Sequence, residues 1–170
     1  YGQLQRVTRL PAFRGMQYAH GGDIYTYKNL LDFSINVNPL GPADAVVEAA
    51  ARSLQRIGEY PDSRSRELRN ALAEKKGLEA ERFVIGNGAA DLLFSLVLAE
   101  KPQKAMIVIP AFSEYEQALK TVGCEILYHE VKKENNFRLG TDLTEKITSE
   151  LDFLFLCSPS NPAGQAVEKE

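Results

Sequence analysis

The stretch Leu151-Asp152-Phe153-Leu154-Phe155-Leu156-Cys157-Ser158-Pro159-Ser160-Asn161-Pro162-Ala163-Gly164 decides how this chain is read. Apart from Asp152, the first seven residues are apolar, as in a buried strand. The run then empties into a turn of Ser, Pro, Asn and Gly. That order places the Asn161 side chain at the carboxyl end of a strand. In open α/β sheets, ligands sit at that end. Taken alone, an Asn-Pro pair is just as well an ordinary turn.

Working back from this stretch, the same rhythm recurs. Arg82-Phe83-Val84-Ile85 reads as a strand running into Gly86-Asn87-Gly88, followed by a helix carrying Leu92, Leu93, Leu96 and Val97. Lys104 to Ile109 reads as a strand ending at Pro110. The next helix has Ser113 and Glu116 in capping-box spacing and stops at Gly123. Cys124 to Val131 is a strand, and Asp142 with Glu145 marks a second capping box on a short helix. Four strands alternating with three helices predict an α/β fold, a mostly parallel sheet flanked by helices on both faces. A sheet of this kind is rarely complete at a last strand with no helix after it. The expectation is therefore an incomplete chain, the front part of a longer polypeptide.

The front of the chain is less regular. Residues 1–35 alternate Gly, Pro and aromatic residues, as in an arm packed over something else. Asp32 to Pro42 reads as a short strand and then a turn. A helix is expected from about Pro42, with Val46, Ala50, Leu54 and Ile57 at helical spacing. Glu59-Tyr60-Pro61-Asp62 breaks it. A second helix begins near Ser63, carries Leu68 and Leu72 on one face, and stops at Gly77.

Composition narrows the classes. The chain has 170 residues, 44% hydrophobic and 25% charged, with a net charge of −3. A basic excess to neutralise phosphates is lacking, which argues against nucleic acid as a partner. No apolar run approaches the ~20 residues needed to span a membrane. Cys124 and Cys157 lie in or beside apolar runs without metal-ligand spacing, as expected of reduced core thiols in a cytoplasmic protein. His20 and His129 lack nearby ligand types, so no metal site is expected.

Three positions carry candidate chemistry. Gly86-Asn87-Gly88-Ala89-Ala90-Asp91 follows a strand and opens a helix, which aims backbone N–H groups and the positive helix end at whatever lies beyond. It also reads as a tight turn with no ligand. It is not a dinucleotide fingerprint, because Asp91 stands where the third Gly belongs. Phe112, in Pro110-Ala111-Phe112-Ser113-Glu114-Tyr115, could lie flat on a planar cofactor or simply pack a helix start. Asn161 could donate to a ring hydroxyl or oxyanion. All three fall at carboxyl ends of strands, and a phosphorylated planar ring would use all three. Pyridoxal 5'-phosphate (PLP) is such a molecule.

The ordered set GNGAAD, PAFSEY and SPSNPAG resembles the fold-type-I PLP-dependent enzymes, the aminotransferase class I/II superfamily. It is most similar to the branch that holds histidinol-phosphate aminotransferase and L-threonine-O-3-phosphate decarboxylase. The resemblance covers nearly the whole chain from about residue 18. It implies an aspartate-aminotransferase-like large domain with an N-terminal arm. Residues 1–41 would be the arm over the active site. Residues 42–78 would be a helical segment contributing to the small domain and dimer interface. Residues 79–170 would be the first part of the PLP-binding large domain. By the same resemblance Gly88, Ala89 and Ala90 match the phosphate-binding turn, Phe112 the residue stacked on the pyridine ring, and Asn161 the donor to the ring 3-hydroxyl. Tyr60 matches a Tyr that reaches the cofactor phosphate of the neighbouring subunit, which implies a homodimer with shared active sites.

His20-Gly21-Gly22-Asp23 and Asn36-Val37-Asn38-Pro39-Leu40-Gly41 look like the decarboxylase pattern. In that pattern the arm helps hold a phosphorylated amino-acid substrate, with His20 at its phosphate, Gly21 among the substrate-binding residues and Asn36 or Asn38 at the substrate. Each of these also reads as a capped loop or a turn. The implied reaction is decarboxylation of L-threonine O-3-phosphate to aminopropanol phosphate, for cobalamin biosynthesis. The alternative is an aminotransferase of the histidinol-phosphate or aromatic type, and a third class is a binding or regulatory module on the same fold. The family's Schiff-base lysine would sit three positions after a Ser or Thr. No lysine here does, so no catalytic residue is assigned, and residues 1–170 alone are expected to be inactive.

Overall fold

Three parallel strands order the second half of the chain. The computed structural model describes residues 21–26, 28 and 31–167. The chain divides into two units, Tyr1–Ser63 and Arg64–Glu170. His20 lies outside the described residues.

In the second unit, α2 (Arg66–Lys76) ends at Gly77, whose φ of 66° is the left-handed cap that glycine favours. The Arg69 Nε donates to the Ala80 carbonyl at 2.9 Å and ties α2 to a 3₁₀ turn at Ala80–Arg82. Helix α3 (Gly88–Glu100) then leads through a short turn to β1 (Lys104–Ile109). Helix α4 (Ser113–Thr121), β2 (Glu125–Glu130), the short α5 (Asp142–Lys146) and β3 (Phe153–Phe155) follow. The sheet order is β2-β1-β3, all parallel, with Ile107 opposite Tyr128 on one side and Phe155 on the other.

The core forms where α3 and α4 lie on this sheet. Ala105 and Ile107 of β1 face the helices with Phe155, and Val97, Ala118, Leu119 and Cys124 close the cluster. Each large side chain so buried contributes roughly 1.5–3 kcal/mol. Met106 points to the opposite face and is only 3% exposed, so the central strand is covered on both sides. That double cover explains the unbroken apolar run of β1.

The first unit holds α1 (Asp44–Ser53), continued by a 3₁₀ turn at Leu54–Arg56. None of its residues is buried, and Val46, Leu54 and Ile57 are exposed. Gly21 is required by a close approach: a Cβ there would stand 2.4 Å from the Ser34 carbonyl oxygen.

Several sequence expectations are corrected. Arg82–Ile85 is not a strand. Ala80–Arg82 is a 3₁₀ turn, and Phe83 is extended but unpaired. Both edges of β1 are taken by β2 and β3, so among the described residues this segment finds no ladder, and Val84 is 77% exposed. Asp32–Asn36 is not a strand either. The Asp32 carboxylate accepts from the Ser34 N–H and hydroxyl and bends the backbone locally. Helix α1 starts at Asp44, two residues after Pro42. Neither capping box forms, because Ser113 and Asp142 are the first helical residues and not N-caps. Glu116 pairs with Lys120 and Asp142 with Lys146 instead. Cys124 is buried, but Cys157 is only half-buried at the end of β3 and so is not a core thiol.

Candidate functional site

Helix α3 runs back antiparallel to β1. Thirteen residues of helix span about 20 Å, and six residues of strand span about the same. The start of α3 therefore lies level with the carboxyl end of β1. Phe112, the N-cap of α4, lies three residues beyond that same strand end. Asn161 follows the carboxyl end of the parallel neighbour β3. The fold thus brings Gly88–Ala90, Phe112 and Asn161 to one edge of the sheet.

The start of α3 has backbone donors to spare. The Gly88 N–H donates to the Gly86 carbonyl at 3.0 Å. The Asn87 N–H donates to Asp91 Oδ2 at 2.8 Å. Ala89 and Ala90, in the first turn, have no carbonyl four residues back within the helix. Gly88 has φ 84° and open space where a Cβ would be, so the turn is accessible. Two outward N–H groups at a positive helix end suit an anion, with Asp91 held to one side by Asn87.

The Phe112 ring meets Tyr115 at right angles, with centroids 6.2 Å apart. Phe112 is half-buried, and this T-shaped contact leaves ring surface for a planar ligand. Asn161 is exposed, and its side-chain amide makes no hydrogen bond among the described residues. Its turn is closed by backbone and Ser side chains: Gly164 N–H to the Ser160 carbonyl at 2.7 Å, and Gln165 N–H to Ser160 Oγ at 3.2 Å. Free N–H donors, an open aromatic face and an unspent amide are the groups a phosphorylated pyridine ring needs. The residues present fit PLP.

The other sequence-derived residues belong to the first unit. Tyr60 is 94% exposed. The Gly22 N–H, next to Gly21, donates to Ser34 Oγ at 2.7 Å. Asn38 is committed to its own turn: Oδ1 accepts from the Leu40 N–H at 3.0 Å, and Nδ2 donates to the Gly41 carbonyl at 2.9 Å. Asn36 makes no such bond among the described residues.

Two clefts are lined in part by Pro110. One of about 540 Å³ opens beyond β1 and β2 and is lined by Ile109, Pro110, Glu130, Lys132, Lys133 and Phe137. Gly88, Phe112 and Asn161 do not line it.

Tyr115 escaped the sequence reading. It stacks on Phe155 with centroids 4.8 Å apart and planes 10° apart. Burial pushes its hydroxyl pKa up, and the neighbouring Cys157 adds to the shift. The signal was present in the spacing. Phe155 and Cys157 are two apart on one strand, and Phe112 and Tyr115 are three apart around a helix start.

The family model for aminotransferase class I and II matches residues 28–170. The chain is 38% identical to the threonine-phosphate decarboxylase of Salmonella typhimurium, over 89% of this chain and 44% of that protein. It is 34% identical to the histidinol-phosphate aminotransferase of Methanococcoides burtonii, over 84% of this chain and 40% of that one. Among solved structures it resembles the histidinol-phosphate aminotransferase from Clostridium acetobutylicum, with a TM-score of 0.71 at 28% identity, covering 82% of this chain and 41% of that one. The chain spans about two fifths of the length of these relatives. The parallel sheet with its helix start, aromatic and amide gathered at one edge is the front of a known architecture, and the chain belongs to the aminotransferase class I and II family.

Proposed function

We propose that the protein is a PLP-dependent carboxy-lyase that converts L-threonine O-3-phosphate to aminopropanol phosphate, in service of cobalamin biosynthesis. The observation that carries this reading is the 38% identity to the Salmonella threonine-phosphate decarboxylase across nearly the whole chain. PLP, when bound, supplies an electron sink for the bond broken at the substrate Cα.

The residues of this chain would bind and orient. Ala89 and Ala90 would give backbone N–H groups to the cofactor phosphate, with Gly88 keeping side-chain bulk away. Phe112 would lie against the ring, and Asn161 would donate to its 3-hydroxyl oxygen. Tyr60 would serve the phosphate of the neighbouring subunit in a homodimer. On the substrate side, His20 and Gly21 would hold the substrate phosphate, a remote contact whose binding energy fixes which Cα bond stands ready to break. Among the described residues Asn36 makes no side-chain hydrogen bond, whereas Asn38 already satisfies Leu40 and Gly41. Of the two, Asn36 is the one with a hydrogen bond to give.

A second reading is an aminotransferase of the histidinol-phosphate type, favoured by the 34% identity to the Methanococcoides enzyme. It would need a base to move the Cα proton, where a decarboxylase releases carbon dioxide. One assay separates them, run on the enzyme that carries this chain. Carbon dioxide release from threonine phosphate without 2-oxoglutarate supports the first. Amine transfer from histidinol phosphate that requires 2-oxoglutarate, with no carbon dioxide, replaces it with the second. Loss of PLP binding altogether would point to a non-catalytic module.

A further inference from the structure

Phe112 and Asn161 follow different strands, and Tyr115 contacts both the first of them and the strand that leads to the second. Tyr115 lies one helical turn after Phe112, so the two rings meet on one side of the α4 start, edge to face at 6.2 Å. Its other contact is with Phe155 of β3, stacked at 4.8 Å. Cys157 is two residues beyond Phe155 and so lies on the same side of the strand's continuation. The Tyr115 hydroxyl lies close enough to that thiol for Cys157 to add to the upward shift of its pKa, after burial. The Cys157 Sγ–H donates in turn to the Pro159 carbonyl at 3.1 Å, in the turn that leads to Asn161.

We propose that Tyr115 is a positioning residue that locks Phe112 and the Asn161 turn into one arrangement, through its ring on one side and the Cys157 thiol on the other. It touches neither cofactor nor substrate. Its effect is to fix the aromatic face and the amide donor relative to one another before a ligand arrives, which removes an ordering cost from binding. The inference rests on the PLP reading above.

The test uses the enzyme that carries this chain, stripped of cofactor and titrated with PLP while cofactor binding is followed by absorbance. Tyr115→Leu, which loses both links, is expected to weaken PLP binding about tenfold while thermal unfolding remains cooperative. Tyr115→Phe keeps the stack and loses only the hydroxyl, and Cys157→Ala loses only the thiol. Each is expected to weaken binding about threefold, and the double variant by no more than either single, because both cut the same chain of contacts. In Tyr115→Phe, Cys157 should also react faster with iodoacetamide, a readout that needs no cofactor.

Additive effects of Tyr115→Phe and Cys157→Ala would overturn the coupling, as would unchanged thiol reactivity. These two readouts decide the matter even where Tyr115→Leu fails to fold. PLP binding by Tyr115→Leu equal to wild type, with Phe112→Leu and Asn161→Ala impaired, overturns the positioning role and leaves the functional reading intact. Normal PLP binding by Phe112→Leu and Asn161→Ala overturns the functional reading itself.

Discussion

Asp152 and Lys104 exchange backbone and side-chain hydrogen bonds across the amino end of the sheet, 48 residues apart in sequence. The Lys104 N–H donates to Asp152 Oδ2 at 3.1 Å, and the Asp152 N–H donates to the Lys104 carbonyl at 2.9 Å. The same Oδ2 accepts from the Gln103 N–H at 2.8 Å. β3 has three residues in its ladder, so this clamp supplies much of what aligns it. It also explains why a carboxylate interrupts an apolar run.

Asp152→Ala is therefore expected to cost about 1–3 kcal/mol, since two backbone donors lose a charged acceptor. Asp152→Asn retains one acceptor oxygen and should cost less. Urea denaturation of both variants checks this. An Asp152→Ala midpoint equal to wild type would show that water replaces the clamp without loss.

Acid should loosen the first unit before the core. The Ser34 hydroxyl, then the Ser34 N–H, holds the Asp32 carboxyl below its ordinary value of 3.8. The Thr26 N–H does the same for Asp23. On α4, the Lys120 ammonium lowers Glu116. A carboxyl with a depressed folded-state pKa contributes stability that is complete above the unfolded value. That contribution is lost as pH falls through the lower folded value. The window therefore lies below about pH 4. Carboxyl NMR titration of Asp32 should give a value that returns toward 3.8 in Ser34→Ala. A titration unaffected by that substitution would remove Ser34 as the cause.

Where a strand or helix closes its own hydrogen bonds or meets its neighbours nearby, the sequence was enough. The α3, β1, α4 and β2 periodicities match the fold, and Gly77 and Gly123 stop their helices with φ of 66° and 70°. Arg82–Ile85 misled because strand identity is a property of a ladder, and a run of apolar residues does not say whether an edge is free. Ser113 and Asp142 misled by one residue: a capping box depends on the helix starting after the Ser or Thr, and here it starts on it. At the site, the positions of the Gly88 turn, Phe112 and Asn161 around the strands were legible from residue type and place, while their roles toward a cofactor are a proposal. That Asn38 is spent on its own turn is a side-chain fact that no spacing rule states, and the spacing of Phe112, Tyr115 and Phe155 is compatible with their ring contacts without requiring them.

The homodimer proposal has a direct test in subunit mixing. If Tyr60 completes the neighbour's site, Tyr60→Phe and Asn161→Ala damage different chains of one shared site. Each homodimer then carries two damaged sites. A heterodimer of the two, isolated through two tags, carries one site with both lesions and one with neither. Its activity is expected to recover to about half of wild type per dimer. Recovery no greater than the mean of the two homodimers would mean that both residues serve one subunit's own site.

The last expectation concerns the lysines. No lysine of this chain follows a Ser or Thr by three positions. Lys104 is held by Glu150 at 3.1 Å, with Glu125 nearby, and its ammonium pKa is raised. A lysine whose charged form is favoured is a poor nucleophile for an aldehyde, which needs the neutral amine. Lys146 bonds to His129 at 3.1 Å and lies on α5, beside β2, the far strand from Asn161. Residues 1–170 on their own, given PLP, should therefore bind it weakly through the α3 start. They should form no defined covalent adduct. Borohydride treatment followed by peptide mapping checks this, with a cofactor band near ~420 nm as a second readout. Scattered low-level labelling of surface lysines is the expected outcome. Stoichiometric reduction onto one lysine would mean that the chain carries its own cofactor lysine at a place the family's spacing does not mark.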